Sequence, residues 1–182
     1  DLYGGSVRIF DTIGNNQGLE FSYIDTSDIE VLKETIKENT KAVYIETPSN
    51  PTMKVTDLHE VVKLANEKNL IVIVDNTFLT PYFQKPLQLG AHIEIHSGTN
   101  DTLAGFLSTN NKEIAEKIRF AYKTTGFCLS PFDSFLIIRG IKTLSVRLER
   151  QQENAIKIAN WLKKQPKVKK VYHIGLEEHP GY

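Results

Sequence analysis

The 182-residue sequence contains very little cysteine and carries no excess charge of either sign. Its single cysteine, Cys128, excludes an internal disulfide bond and a zinc site built from several cysteines, and it predicts a reducing, cytoplasmic location. The 22 Lys and Arg residues balance the 22 Asp and Glu residues, so net charge indicates neither a nucleic acid nor an acidic membrane as partner. No apolar run approaches the ~20 residues that span a bilayer. The sequence therefore predicts a globular protein with no nucleic-acid or membrane partner.

Glycine-rich phosphate loops are also absent, because neither G-x-G-x-x-G nor G-x-x-x-x-G-K follows any apolar run. The five histidines are too scattered for a metal cluster, and we expect no metal. The length suits one domain with a sizeable core and a small extension. Because the sequence opens at Asp1 without a methionine and stops abruptly at Tyr182, we expect it to be the centre of a longer chain.

Short apolar runs alternate with segments of helical periodicity along the chain. The apolar runs predict strands at residues 21–24, 42–46, 70–74, 92–96, 103–107 and 168–172. The helical segments begin at a capping-box spacing at residues 27–30, at Asp57, at Asn111 and at Asp133. Residues 70–74 are all apolar, which is typical of a strand covered on both faces in a parallel sheet. The pattern predicts an α/β fold with an open, mostly parallel sheet and helices on both faces.

The pattern changes after residue 131, where a helical stretch continues to about Lys164 with an interruption near Gly140. We expect residues 1–132 to form the central part of an α/β domain and residues 133–166 to form a long connecting helical region. Residues 167–182 would then begin a C-terminal domain. The apolar segment 127–138 suits a packing surface between chains and a part of the core equally well.

Polar residues follow the predicted strands at their carboxyl ends, where ligands bind in open α/β sheets. Asp75 ends an apolar strand and needs a partner for its charge, such as a metal, a protonated ring nitrogen or a helix N-terminus. Ser97 and Thr99 flank Gly98, and their hydroxyl groups suit phosphate oxygens. Taken singly, Asp75 could equally be a helix cap, and Asn50, Ser97 and Thr99 are ordinary turn residues.

Eight segments in order resemble the Cys/Met-metabolism family of pyridoxal 5′-phosphate (PLP) enzymes, which includes cystathionine γ-synthases, cystathionine β- and γ-lyases and methionine γ-lyases. The segments are DLYGGS (1–6), IETPSNP (45–51), VDNTF (74–78), HSGT (96–99), LAG (103–105), SPFDS (130–134), LIIRG (136–140) and KTL (142–144). The resemblance runs along the whole chain. It implies the large domain of a fold-type-I PLP enzyme, similar to aspartate aminotransferase and here incomplete.

The resemblance implies a catalytic role for two residues. Tyr3 would stack its ring on the cofactor and assist proton transfer, and Asp75 would pair with the pyridine nitrogen so that the ring can accept electrons. Both would bind the cofactor, together with residues near the ring or the phosphate: Asn50, Thr77, Ser97 and Thr99. No metal ligand is implied.

The sequence departs from the family directly after Thr99. The family places a lysine there, which forms a Schiff base with PLP, whereas Asn100 follows here and about half a dozen residues are missing. Either the sequence omits a loop or the loop is truly deleted. A deletion would leave no room for the crossover between two parallel strands, and this favours an omission.

The resemblance implies an enzyme that makes or breaks a C–S bond at the β or γ carbon of a small amino-acid substrate. Residues 1–5 and 100–105 favour a cystathionine γ-synthase-like member, with cystathionine β- or γ-lyase and methionine γ-lyase as alternatives. A homotetramer made of two dimers is also implied. Two alternatives belong to other classes: an inactive fragment or non-catalytic homologue that lacks the lysine, and an α/β domain whose Asp75 binds Mg²⁺ or a nucleotide ribose.

Overall fold

The computed structural model describes residues 1–97 and 102–182. Within them it contains one four-stranded sheet with strands in the order β1 (Ala42–Glu46), β2 (Ile71–Asp75), β3 (Ile93–Ser97) and β4 (Gly105–Ser108). Strands β1, β2 and β3 are parallel, and β4 pairs antiparallel with β3. The prediction of an α/β fold with an open, mostly parallel sheet is confirmed.

Seven α-helices accompany the sheet in the described residues. They are α1 (Gly4–Ile9), α2 (Ile29–Thr35), α3 (Leu58–Glu67), α4 (Thr80–Phe83), α5 (Lys112–Thr125), α6 (Pro131–Ile141) and α7 (Leu144–Lys163). A π-helical segment, Phe10–Gly14, continues directly from α1. None of these helices is long and apolar enough to cross a membrane.

Side-chain caps set the start of four helices. The side chains of Asp28, Asp57, Asn111 and Ser130 each accept a hydrogen bond from a first-turn N–H, which satisfies donors that a helix start leaves free. The capping box predicted at residues 27–30 was wrong, because the N-cap of α2 is Asp28, one residue later, and its side chain accepts from the Glu30 backbone N–H alone. The long helical stretch is two helices, α6 and α7, separated at residues 142–143.

The core lies between α3 and one face of β1 and β2. Val72 and Val74 are fully buried there against a stripe of α3 side chains: Leu58, Val61, Val62 and Ala65. Ile71, on the opposite face, is 36% exposed. The two faces of β2 are therefore buried unequally. The second face is covered only in part, by α1 and the π-helical segment, and it carries polar groups where the strands end.

Two predicted strands are not strands in the structure. In the segment 21–24, the Phe21 ring stacks on Phe10 with centroids 4.8 Å apart, and the Tyr23 hydroxyl donates to Asp11 at 2.6 Å. These contacts direct the segment toward the π-helical segment rather than to a sheet edge. Residues 168–172 also form no strand; two lysines in five residues leave a weak apolar pattern.

The antiparallel pairing of β4 overturns the argument about a deletion between β3 and β4. Ser97 pairs with Gly105 and His96 with Phe106. Antiparallel neighbours can be joined by a turn of a few residues, whereas parallel ones need a long crossover. A short connection is therefore compatible with this sheet, and the expected lack of room was wrong.

The apolar segment 127–138 lies outside the core. Phe127, Phe132, Phe135 and Ile138 are each more than half exposed, and no α6 residue is buried within the described structure. Of the two interpretations of this segment, a packing surface fits and a place in this core does not. The division at residues 1–132, 133–166 and 167–182 stays a prediction.

Candidate active site

Asp75 lies at the carboxyl end of β2, in register with Glu46 at the end of β1. Its Oδ1 accepts hydrogen bonds from the Thr77 backbone N–H at 3.1 Å and the Thr77 hydroxyl at 2.6 Å. Its Oδ2 accepts the Tyr44 hydroxyl at 3.1 Å. No lysine, arginine or histidine of the described residues pairs with this carboxylate. Asp75 is thus held by neutral donors and can face a cationic ligand atom; it caps no helix, since α4 begins only at Thr80.

Thr77 connects the ends of β2 and β3. While its hydroxyl donates to Asp75, the same oxygen accepts the Ser97 backbone N–H at 3.0 Å. The Ser97 side chain is exposed, and its hydroxyl makes no hydrogen bond to the residues that the structure describes. Ser97 is therefore positioned by its backbone, and its hydroxyl has no partner among the described residues. Thr99, its predicted partner in phosphate binding, lies outside the described residues.

Glu46 brings two other predicted site residues to this edge. The carboxylate is only 8% exposed; its Oε2 accepts the Tyr3 backbone N–H at 2.7 Å and its Oε1 accepts the Asn50 backbone N–H at 3.0 Å. Burial raises the pKa of Glu46, and the charge of Asp75 adds to that rise, while the two N–H donors oppose it. Sequence reasoning noted Glu46 only as part of a motif.

Tyr3 presents its ring at the surface. The side chain is 59% exposed, and the ring lies so close to Gly5 that a Cβ atom at Gly5 would overlap it. An exposed aromatic face is suited to stacking on a flat ligand ring.

Tyr44 supports Asp75 from the middle of β1 and was missed by sequence reasoning, which took it as an ordinary strand aromatic. Burial raises the pKa of its phenol, and the nearby carboxylates of Asp75 and Glu46 raise it further, so it stays a neutral donor. Its hydroxyl lies 3.4 Å from Ser6 Oγ, and its ring packs edge-on against Phe10.

A buried polar network lies directly behind the site. The Asn76 amide donates to Glu94 Oε1 at 2.8 Å and to the Gln84 carbonyl oxygen at 2.9 Å, and it accepts from the Gln84 side chain at 2.9 Å. His96 Nε2 lies 2.8 Å from the same Glu94 oxygen. Since Asn76 follows Asp75 and His96 precedes Ser97, the network joins the ends of the two strands.

The arrangement fits PLP in its donor set. Among the described residues, a carboxylate without a cationic partner suits a protonated ring nitrogen, an exposed aromatic face suits the flat ring, and a hydroxyl without a partner suits a phosphate oxygen. The described residues contain no group of three His, Cys, Asp or Glu side chains that could hold a metal ion.

Residues 1–182 match the model of the family described as Cys/Met metabolism PLP-dependent enzyme. The chain belongs to this family. The resemblance inferred from the eight motifs is confirmed, and a nucleotide- or magnesium-binding domain is set aside.

Known proteins of this family align along the whole chain. It is 45% identical over 188 residues to the cystathionine γ-lyase of Bacillus subtilis, covering 100% of this chain and 50% of that protein. It is 47% identical over 180 residues to the cystathionine γ-synthase of Haemophilus influenzae, covering 95% and 49%. The crystal structure of metB from Corynebacterium glutamicum superposes with a TM-score of 0.96 at 43% identity, covering 100% of this chain and 49% of the other. The chain thus spans about half the length of these relatives.

The alignment lengths bear on the missing lysine. The Bacillus subtilis alignment is 188 positions long although the chain has 182 residues, so at least six positions have no counterpart here. This minimum agrees with the number of residues, about half a dozen, that the family pattern has after Thr99 and this sequence lacks.

The structure brings five of the six predicted site residues to one edge of the sheet. Tyr3 and Asn50 are joined through Glu46, and Asp75 and Ser97 are joined through Thr77. Their individual roles toward PLP stay predictions.

Proposed function

We propose that the protein containing this chain is a PLP-dependent enzyme that makes or breaks a C–S bond at the β or γ carbon of an amino acid. The observation that carries the proposal is Asp75 at the end of β2, held by Thr77 and Tyr44 and free of a cationic partner among the described residues. This geometry occurs in a chain whose family uses PLP.

Each site residue has a defined task in this proposal. Bound PLP would supply an electron-accepting ring for a carbanion next to the amino group. Asp75 would hold a proton on the ring nitrogen, because its charge stabilises the cationic form. Tyr3 would cover the ring face and Asn50 would lie near the ring edge. Thr77 would keep Asp75 oriented, and Ser97 would donate its hydroxyl to the phosphate, with Thr99 beside it.

Within this class, we propose a cystathionine γ-synthase-like reaction as the first to test, on residues 1–5 and 100–105. The identities to a γ-lyase and a γ-synthase, 45% and 47%, are too similar to separate the two. Cystathionine β- or γ-lyase and methionine γ-lyase are therefore the other reactions to assay. A homotetramer and a cytoplasmic location stay predictions, and the exposed apolar face of α6 supports an association with another chain or segment.

The test is to supply the full-length protein with PLP and assay two reactions. One is cystathionine formation from cysteine and an activated homoserine, and the other is ketoacid and thiol release from cystathionine or methionine. The synthase proposal expects the first to dominate, while dominance of the second would make the protein a lyase. Asp75→Asn should abolish either activity, and Glu113→Gln, the corresponding change at an exposed carboxylate of α5, should retain it. Absence of all activity in a PLP-loaded protein would contradict the proposal.

A second candidate, a non-catalytic homologue, is favoured by one observation: Asn100 follows Thr99 with no lysine between them. The intact mass of the natural protein separates the two candidates, since this sequence accounts for 20.6 kDa. A mass near twice that value, with a peptide carrying a lysine after Thr99, would support the enzyme. A mass of 20.6 kDa would support the non-catalytic homologue.

A further inference from the structure

Glu46 is a buried carboxylate to which no role in PLP chemistry has been given above. Its two oxygens are used by two different segments of the chain, one accepting the Tyr3 N–H at 2.7 Å and the other the Asn50 N–H at 3.0 Å. Among the described residues no lysine, arginine or histidine side chain pairs with it. A buried carboxylate held only by backbone N–H groups is costly unless those hydrogen bonds are retained.

The Tyr3 segment and the Asn50 loop also share a hydrogen bond from the exposed Thr52 hydroxyl to the exposed Asp1 carboxylate, whereas Glu46 is buried and contacts the backbone of both segments. Tyr3 precedes α1, and Asn50 lies in the loop that follows β1, so their separation in sequence is large. Glu46 is the last residue of β1, an outer strand of the described sheet, which is paired with β2 over five residues. Glu46 therefore contacts both the Tyr3 backbone and the Asn50 backbone from a position in register with Asp75.

We propose that Glu46 is a positioning residue for PLP, which holds Tyr3 against the face of the cofactor ring and Asn50 at its edge through one buried carboxylate. The inference rests on the proposed function. Glu46 acts through these two residues and need not touch the cofactor.

The charge of Glu46 adds a second effect. Glu46 and Asp75 are register partners on neighbouring parallel strands, which lie about 4.8 Å apart, and side chains of register partners point to the same face. The charge of Asp75 contributes to the raised pKa of Glu46, as expected for two carboxylates that repel each other, and a cation between or beside them would relieve the repulsion. Glu46 therefore increases the preference of this edge of the sheet for a protonated ring nitrogen.

Two substitutions weaken the contacts of Glu46, one with loss of the charge and one with the charge retained. Glu46→Gln keeps the size and one acceptor oxygen but places an NH₂ group against a backbone N–H, so one of the two contacts is lost. Glu46→Asp keeps the charge but is one methylene shorter, so it cannot reach both N–H groups. Both variants are expected to weaken PLP binding by roughly tenfold, the effect of losing one hydrogen bond to a charged group.

The measurement is the equilibrium dissociation constant for PLP with the full-length protein, together with the visible circular dichroism of bound PLP. The dichroic band reports an asymmetric contact on the ring, and we expect Glu46→Gln to reduce it. In a Tyr3→Ala background, Glu46→Gln should have a smaller effect on both the PLP affinity and the dichroic band, because the effects of substituting two residues that act together are not additive. Glu113→Gln is the matched control: the same substitution at an exposed carboxylate of α5 should leave PLP affinity within about twofold.

The outcomes separate the inference from the proposed function. If the unaltered protein binds no PLP, the proposed function falls and this inference falls with it. If the unaltered protein binds PLP but Glu46→Gln leaves both the affinity and the dichroic band unchanged, the inference alone is wrong. If Glu46→Gln does not fold, Glu46→Asp decides by the same two readouts. Equal effects of Glu46→Gln with Tyr3 present and absent would also contradict action through Tyr3.

Discussion

Replacing Asn76 by alanine removes three side-chain hydrogen bonds from a site with no access to solvent. Asn76 is fully buried, donates to Glu94 Oε1 and the Gln84 carbonyl oxygen, and accepts from the Gln84 amide. After the substitution, the buried Glu94 carboxylate keeps only His96, and the Gln84 carbonyl loses its donor. The Gln84 amide keeps only its bond to the Thr47 carbonyl.

The magnitude follows from the groups left without partners. Each buried polar group that loses its partner costs about 1–3 kcal/mol, and a charged group costs more. With one carboxylate and one carbonyl affected, we expect the free energy of unfolding to fall by about 3–5 kcal/mol. Such a loss is a large fraction of the about 5–15 kcal/mol that stabilises a typical domain.

The assay is urea unfolding of the PLP-free protein, followed by far-ultraviolet circular dichroism. Asn160→Ala is the matched control, since Asn160 is exposed on α7 and its amide donates only to the Ile156 carbonyl. We expect that control to lie within about 0.5 kcal/mol of the unaltered protein. In a Glu94→Gln background, Asn76→Ala should cost less because no buried charge is stranded. A loss below about 1 kcal/mol for Asn76→Ala, or one equal to that of Asn160→Ala, would refute the reasoning.

Two further predictions concern single contacts. Tyr44→Phe removes the hydroxyl that donates to Asp75 but keeps the ring against Phe10, so PLP should bind about fivefold more weakly in an equilibrium titration while the unfolding midpoint changes little; unchanged affinity would contradict it. The hydrogen bond from Lys54 lowers the pKa of Asp25 from 3.8 to about 2. This contact therefore stabilises the folded protein fully at pH values above 3.8, and the stabilisation is lost as the pH falls to about 2. Asp25→Asn should therefore be less stable at neutral pH, by less than about 1 kcal/mol for so exposed a pair, and the difference should vanish below about pH 2 in thermal unfolding; a difference that grows toward acid would show the sign to be wrong.

Strong local signals predicted much of the framework. The apolar run at 42–46 matches β1 residue for residue, because Thr47-Pro48 ends it, and Asp57 caps α3 as predicted. The strands at 70–74 and 92–96 are each shifted by one residue in the structure. Polar residues that follow parallel strands converge at the carboxyl ends of those strands. This rule predicted that Asp75, Thr77 and Ser97 lie together.

Contacts between distant segments could not be predicted from local patterns. Tyr44 reaches Asp75 only because β1 and β2 pair in a particular register, and Glu46 meets Tyr3 only because the chain start returns to the end of β1. The antiparallel direction of β4 likewise depends on its pairing with β3, since an apolar run does not encode the direction of its neighbour.

The central claim is that Asp75 is the charge partner of a PLP ring at this edge of the sheet. The most direct test titrates the full-length protein and its Asp75→Asn variant with PLP and measures affinity and the visible absorption spectrum. We expect the unaltered protein to bind PLP, and the variant to bind at least about tenfold more weakly with a shifted absorption band, because an amide cannot hold the ring nitrogen in its protonated form. Equal affinity and identical spectra for the two proteins, or no binding by the unaltered protein, would contradict the claim.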